Sequence, residues 1–181
     1  GIYSLSPYTP EEIITRDFLM NEKPDVILNI IDASNIERNL YLTTQLMETN
    51  IPMVIALNMM DIVTKNGIKI QLSKLSKQLG CPIIETSALK QKGLKELMDA
   101  VLSVKKLPAQ PTFNQDIEIL LNQVETLVTS SVPQPLLRWY SIKLFERDSR
   151  VLEQLTLPQN LNVELESLII EYEDAHEDDS E

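Results

Sequence analysis

Two short polar stretches carry residue types that could read a purine base. Asn58-Met59-Met60-Asp61 directly follows the apolar run at residues 53–57, and Ser87-Ala88 follows a second run at residues 82–86. A carboxylate held after a strand accepts two hydrogen bonds at once, which matches the N1–H and the exocyclic amine of guanine. Adenine offers no such donor pair and would leave the carboxylate unpaired, at a cost of roughly 1–3 kcal/mol. The spacing therefore predicts a guanine-selective site in which Asp61 recognises the base.

The neighbouring residues have predicted roles in the same site. Asn58 would brace the two loops and touch the base edge, and Met59 would lay its thioether against the ring face. The backbone N–H of Ala88 would donate to guanine O6. The pattern N-x-x-D alone is a weak signal, because residues 29–32 also match it with Asn29 inside a strand. A plain polar turn is the alternative, but two such loops at consecutive strand ends favour a binding site.

The elements that must position these loops form an alternating strand and helix pattern. Near-continuous apolar runs at residues 26–32, 53–57 and 82–86 suit parallel strands that are covered on both faces. Residues at helical spacing, which share one helix face, lie between and after these runs: Leu40, Thr44 and Met47; Leu72, Leu75 and Leu79; and Leu94, Leu97, Val101 and Val104. This alternation predicts a parallel α/β sheet whose functional residues lie at the carboxyl ends of its strands.

The chain changes character after residue 107. Two prolines in the segment 108–114 disfavour helix and strand, so we predict a linker there after a first domain at residues 1–107. Residues 115–170 show apolar stripes at helical spacing without a strand pattern, which predicts a small all-α helical domain. Residues 171–181 hold seven acidic and no basic side chains and are predicted to be an acidic tail or linker.

Composition narrows the function of the 181-residue chain. The formal net charge is −11, yet residues 1–107 hold 12 basic and 12 acidic side chains, so the acidic excess lies in the C-terminal part. No nucleic-acid partner is expected, because the sequence offers no basic face that could release counterions. A single cysteine, Cys81, and a single histidine, His176, exclude a disulfide framework and the common His-rich metal sites, so no metal ligand is predicted. We expect neither a membrane span nor a signal peptide.

Several segments resemble one known family. Residues 1–12 look like the segment that follows the third GTPase motif, D-x-x-G, in the ferrous iron transport protein B family, and residues 32–42 are also typical of it. Asn58-Met59-Met60-Asp61 resembles the guanine-specificity motif of that family, and Thr86-Ser87-Ala88 resembles its fifth motif. The region from about residue 115, with Arg138-Trp139 near its middle, looks like the small helical domain beside the family's G domain.

The resemblance implies a fold and a ligand. The fold is a parallel-sheet P-loop GTPase-like domain, N-terminally truncated and followed by the helical domain. The nucleotide-binding residues that it implies are Asn58, Met59, Asp61, Ser87, Ala88 and Gly1. The phosphate-binding motif G-x-x-x-x-G-K-[ST] is absent from this sequence, so we expect a partial G domain with the base half of a GTP or GDP site, and Mg²⁺ only in the intact domain. No residue is predicted to be catalytic; the intact parent is expected to be a GTPase and this part alone inactive.

The resemblance also implies partners and a location. GTP hydrolysis would regulate ferrous iron uptake by the parent, and this part, soluble by itself, would lie at the cytoplasmic face of the inner (cell) membrane beside the membrane domain of the same chain. The sequence leaves open whether the protein forms a homo-oligomer. Two other interpretations stay open: a non-catalytic interaction or regulatory module with a GTPase-like fold, and an unrelated flavodoxin-like domain with Asn58 and Asp61 as turn residues. Lys90, Lys92 and Lys95 are predicted to be a solvated helix start, with phosphate steering as the alternative.

Overall fold

Three parallel strands, β1 (Ile27–Asp32), β2 (Met53–Asn58) and β3 (Ile83–Glu85), pair in that order in one sheet. The computed structural model describes residues 1–6 and 9–177, and the chain divides into two units, Gly1–Pro111 and Thr112–Glu181. Asp32 at the end of β1 pairs with Asn58 at the end of β2, so the carboxyl ends of these strands lie side by side. The predicted parallel α/β class is confirmed.

Among the residues of the first unit that the structure describes, five α-helices surround the sheet: α1 (Pro10–Glu22), α2 (Ile36–Glu48), α3 (Met60–Lys65), α4 (Leu72–Leu79) and α5 (Leu94–Ser103). The apolar spacing predicts α2, α4 and α5 but neither α1 nor α3. A capping box starts α1, because the Thr9 hydroxyl accepts from the Glu12 amide and the Glu12 carboxylate accepts from the Thr9 amide. Pro10 fits the first helical position, where an N–H has no helical partner.

The central strand β2 is buried on both faces. Met53, Ile55 and Leu57 belong to one apolar cluster, which also contains residues of α1, α2 and α4. Val54 and Ala56 point the other way and pack with Leu97 of α5. Because successive side chains of a strand alternate between faces, this run of buried residues requires helices on both sides of the sheet.

Strand β1 is covered on one face only. Ile27 and Ile31 lie in the core, and the buried Asn29 between them donates to the Thr43 hydroxyl of α2 at 2.9 Å. Leu28 and Ile30, which point to the opposite face, are 40% and 63% exposed. Two apolar side chains of a parallel strand therefore face solvent on the side of the sheet to which α5 packs.

In the second unit, the described residues up to 177 form four α-helices: α6 (Gln115–Val128), α7 (Leu137–Phe145), α8 (Ser149–Gln154) and α9 (Gln159–Glu177). The Asn114 side chain caps α6 by accepting from the Ile117 amide at 2.9 Å. Buried apolar residues from all four helices form the core of this unit: Leu121 and Val124, Trp139 and Ile142, Val151, and Leu165 and Ile169. The predicted all-α domain is confirmed.

Helix α9 continues further than the sequence predicts. The expected acidic tail starts at residue 171, but the helix extends to Glu177, and the remaining tail residues 178–181 lie outside the described residues. Arg147 binds Glu166 at 2.7 Å and Glu173 at 2.6 Å, so a cation from the turn between α7 and α8 offsets the acidic charge of α9. The Tyr172 ring packs edge-on against Phe145, which holds this last part of the helix on the unit.

The predicted linker at residues 108–114 has no regular secondary structure, but its first part packs on the first unit. The Ala109 amide donates to the Leu79 carbonyl at 2.9 Å, which satisfies a carbonyl at the C-terminus of α4. The Gln110 side chain donates to the Met47 carbonyl at 3.2 Å. Across the described residues, no helix combines the length and the apolar character that a membrane crossing requires.

Candidate functional site

The ends of β2 and β3 bring two of the predicted binding stretches together. One further backbone hydrogen bond joins the two strands beyond the end of β3: the Thr86 amide donates to the Leu57 carbonyl at 2.8 Å. Asn58 therefore faces the loop after β3, and its Oδ1 accepts from the Ala88 amide at 3.1 Å. The Thr86 hydroxyl lies 3.5 Å from the same oxygen. The Asn58 side chain thus braces the two loops.

This bond changes the expected role of Ala88. The sequence predicts that the Ala88 N–H donates to guanine O6, whereas in the structure this N–H donates to Asn58 Oδ1. A backbone amide has a single hydrogen to donate. A bond from Ala88 to a base therefore requires this hydrogen to be shared with Asn58 or exchanged between the two acceptors.

Asp61 is directed toward the same loop by the residue that precedes α3. Met59 has the left-handed angles φ 62° and ψ 25°, so the chain reverses after Asn58 and α3 begins at Met60. Asp61 lies in the first turn of α3, and its Oδ1 accepts from the Ser87 hydroxyl at 3.0 Å. The Met59 side chain is 40% exposed, outside the core. The turn thus points two hydrogen-bonding side chains at the loop and leaves an apolar one in solvent between them.

Lys90 is a second partner of the Asp61 carboxylate. Its Nζ lies 3.1 Å from Asp61 Oδ2. The hydrogen bond from Lys90, followed by that from Ser87, lowers the pKa of Asp61 below its ordinary value. The carboxylate is therefore ionised at neutral pH, and an ionised carboxylate accepts N–H donors at both oxygens.

A tight loop holds both partners of this carboxylate in place. The Ser87 and Lys92 backbones exchange hydrogen bonds of 3.2 and 3.1 Å, and Ala88–Lys90 form one 3-10 turn between them. Gly93 follows with a left-handed φ of 75°. A Cβ at this position would overlap the Glu85 carbonyl oxygen, so the close approach of the loop to β3 requires glycine.

The structure does not bring Gly1 to these loops. Among the described residues, Gly1 is exposed and forms no hydrogen bond with the loops that follow β2 and β3. Its segment is anchored on α2: the Leu5 amide donates to Gln45 Oε1 at 2.7 Å, and the Arg38 guanidinium lies 3.9 Å from the centre of the Tyr3 ring. The other predicted binding residues lie together where β2 ends, in the first turn of α3 and in the loop after β3: Asn58, Met59, Asp61, Ser87 and Ala88.

A cavity of about 370 Å³ lies beside the Asp61 carboxylate. Asp61 and Thr64 of α3 line one side, and Ser87, Lys90 and Lys92 line the other. In the part of the chain that the structure describes, no group of three or more His, Cys, Asp or Glu side chains could hold a metal ion. The chemistry that the site offers is hydrogen bonding by one ionised carboxylate and one amide side chain, beside an exposed thioether.

Two residues of the loop are not among the predicted binding residues. Leu89, next to Ala88, has a side chain that is 91% exposed, and Lys90 forms the ion pair with Asp61. Lys90 gives a weak signal in the sequence, because it is a cation three residues after Ser87. Leu89 gives none, because apolar spacing does not distinguish an exposed leucine from a buried one.

Comparison with known proteins shows the family of the chain. Residues 1–101 match the family described as Ferrous iron transport protein B, and residues 113–181 match the FeoB cytosolic helical domain. The fold is that of a G domain followed by a helical domain. The chain belongs to the ferrous iron transport protein B (FeoB) family.

Two curated relatives and two solved structures show how far the similarity extends. The Fe(2+) transport protein A/Fe(2+) transporter FeoB fusion protein of Porphyromonas gingivalis is 37% identical over 83% of this chain, and the Fe(2+) transporter FeoB of Escherichia coli is 35% identical over 82%. The chain spans 19% and 20% of the lengths of these two relatives.

The solved structures are of NFeoB from S. thermophilus. The mGMPPNP-bound form is 46% identical to this chain, with a TM-score of 0.91. The match covers 97% of this chain and 68% of the NFeoB chain. The form bound to GDP.AlF4- and K+ is 45% identical to this chain, with a TM-score of 0.92. The match covers 97% of this chain and 70% of the NFeoB chain.

Proposed function

We propose that this chain is the guanine-recognising part of the G domain, with the adjoining helical domain, of a ferrous iron transporter whose iron uptake is regulated by GTP hydrolysis. One observation carries the proposal. Asn58 and Asp61 follow one strand and bond to Ala88 and Ser87, which follow the neighbouring strand. The similar NFeoB structures hold GDP or GMPPNP, which supports a guanine nucleotide as the ligand.

The Asp61 carboxylate supplies the selectivity for guanine. It would accept from N1–H and the exocyclic amine of the base, while the Ser87 hydroxyl keeps the carboxylate oriented from the other side. Asn58 Oδ1 is held by Ala88, so its amide nitrogen is left to meet the base edge. Adenine has no donor pair for the carboxylate, and the uncompensated charge would cost roughly 1–3 kcal/mol or more.

We propose that the phosphates and Mg²⁺ are bound by a part of the parent that precedes these residues. The sequence holds no phosphate-loop motif, and no acidic cluster in the described residues fits a metal ion. The uncovered face of β1, with Leu28 and Ile30 in solvent, supports a further layer of the G domain on this side. The chain alone would then bind the base without hydrolysing GTP.

The iron and membrane aspects of the proposal rest on the family. The relatives are named Fe(2+) transporters, and this chain spans about one fifth of their length. We therefore place it at the cytoplasmic face of the cell membrane, joined to the membrane domain of the same parent. The segment Gly1–Ser6 would act as the moving switch, and its contacts through Leu5 and Tyr3 would carry the nucleotide state to α2.

A comparison of two aspartates tests the proposed site. Calorimetric titration of the chain with GDP, ADP and xanthosine diphosphate should show a preference for GDP over ADP of about tenfold or more. Asp61→Asn should move the preference toward xanthosine diphosphate, because the new amide can donate to the C2 carbonyl of xanthine. Asp32→Asn is the matched control: Asp32 closes the other N-x-x-D match, at the end of β1, where it caps the turn at Ser34.

The outcomes separate the proposal from its alternatives. Equal binding of GDP and ADP, or no binding of either by this chain and by the longer parent, would favour the non-catalytic interaction module. The same shift in both aspartate variants would remove Asp61 from its assigned role. A shift confined to Asp61→Asn supports the site as described.

A further inference from the structure

The guanine-reading carboxylate is already engaged on both oxygens. Asp61 Oδ1 accepts from the Ser87 hydroxyl at 3.0 Å, and Asp61 Oδ2 pairs with Lys90 Nζ at 3.1 Å. These two partners differ in kind. Ser87 is buried and neutral, whereas Lys90 is a cation whose side chain is 52% exposed.

The two partners therefore compete differently with a base. A carboxylate has about four acceptor positions, so one neutral hydroxyl leaves room for the two N–H donors of guanine. A lysine ammonium brings a full positive charge to the other oxygen of the carboxylate and offsets the negative charge that attracts the base donors. Both contacts are charge-assisted because Asp61 is ionised, but only Lys90 places a cation against the carboxylate and offsets its negative charge, so the Lys90 contact is the one that a neutral base must replace.

We propose that Lys90 is an internal competitor for guanine, which occupies Asp61 until a base displaces it and so weakens nucleotide binding and speeds release. This inference rests on the function proposed above. Displacement needs no rearrangement of the fold, because the Lys90 side chain is half exposed and can swing into solvent. Lys90 lies on the same loop as Ser87 and Ala88, so the competing ammonium is part of the binding site itself.

The backbone of the loop selects Lys90 over its neighbour Lys92. The Lys90 amide donates to the Ser87 carbonyl at 3.1 Å, which places Lys90 at the end of a single 3-10 turn beside Asp61. Lys92 pairs through its backbone with Ser87 and forms no ion pair with Asp61 among the described residues.

Guanosine is the right probe, because a neutral nucleoside has no phosphate charge. Its affinity for the full chain would be followed by NMR titration at low and high sodium chloride. Lys90→Met should raise the affinity about two- to fivefold at low salt, the range expected for an exposed ion pair. Wild-type affinity should rise as salt screens the pair, while the Lys90→Met affinity should stay nearly constant.

Two further variants separate the competitor from a general charge effect. Lys74→Met removes the same charge from the exposed face of α4 and should behave as the wild type. Lys90→Arg keeps a cation on the loop and should keep the salt response. Unchanged amide spectra away from the loop would show that each variant is folded.

Three results would overturn the inference. Weaker guanosine binding by Lys90→Met would show that Lys90 supports the base, and equal affinity with no salt response would show that it does not compete. Both results leave guanine selectivity, and so the proposed function, intact. Equal binding of guanosine and adenosine by every variant would overturn the proposed function together with this inference.

Discussion

Gly93 and Gly67 offer a matched pair for testing how the loop after β3 is held. Both residues have left-handed φ angles, 75° and 72°. A Cβ at Gly67 would meet no atom within 4 Å, whereas a Cβ at Gly93 would overlap the Glu85 carbonyl oxygen on the backbone of β3. Alanine at the two positions therefore differs in the overlap and not in the backbone conformation.

The expected free energies follow from this difference. The left-handed conformation costs alanine about 1–2 kcal/mol, and the smaller entropy of the unfolded chain returns about 0.4–1 kcal/mol. Gly67→Ala should therefore lower the free energy of unfolding by about 0–1.5 kcal/mol. Gly93→Ala adds an overlap with backbone, for which overpacking costs of about 1–3 kcal/mol are typical, so the total should be about 1–4.5 kcal/mol.

Amide hydrogen exchange in β2 is a suitable assay. The chain has two units, so one denaturation midpoint would not define a single free energy. Exchange of the core amides of β2 reports the opening of the first unit alone. Values for the two glycine variants that agree within about 0.5 kcal/mol would refute the argument from the overlap with Glu85.

Two further predictions concern single side chains. Asn58→Ala should remove the acceptor of the Ala88 amide, cost about 1 kcal/mol locally and speed exchange of that amide several-fold; unchanged exchange would show that the Asn58 brace is unimportant. Burial raises the pKa of the Cys81 thiol to about 11, so native Cys81 should react with iodoacetamide at pH 8 far more slowly than in urea. Because the unfolded thiol ionises near pH 9, the Cys81 contribution to stability should be complete below that pH and fall between about pH 9 and 11, and Cys81→Ala should remove this fall.

The sequence predicts the position of the site better than its internal bonding. Apolar runs mark where β2 and β3 end, and parallel strands align those ends, so the adjacency of Asp61 and Ser87 follows from pattern alone. The partner of the Ala88 amide does not follow, because it depends on the rotamer of Asn58. The ion pair between Lys90 and Asp61 depends on one 3-10 turn, which no periodic sequence pattern predicts.

The errors in the fold have similar causes. Helix α1 is signalled by its capping box at Thr9 and Glu12 rather than by an apolar stripe, so a reading based on periodicity misses it. The end of α9 is misplaced because an acidic run is unfavourable for a helix by itself. Arg147, 26 residues before Glu173, supplies a cation that pairs with this part of the helix, and rules based on local sequence do not detect a contact at that separation.

The left-handed backbone at Met59 limits which sequences can encode this turn. A notation such as N-x-x-D treats both middle positions as unrestricted, yet a β-branched residue at position 59 would be strained at φ 62°. A saturation library at this codon should therefore retain Gly, Asn and unbranched side chains and lose Val, Ile and Thr, whether or not the ligand touches the side chain. The residue type at this position of the motif is then restricted by backbone conformation as much as by contact with a ligand.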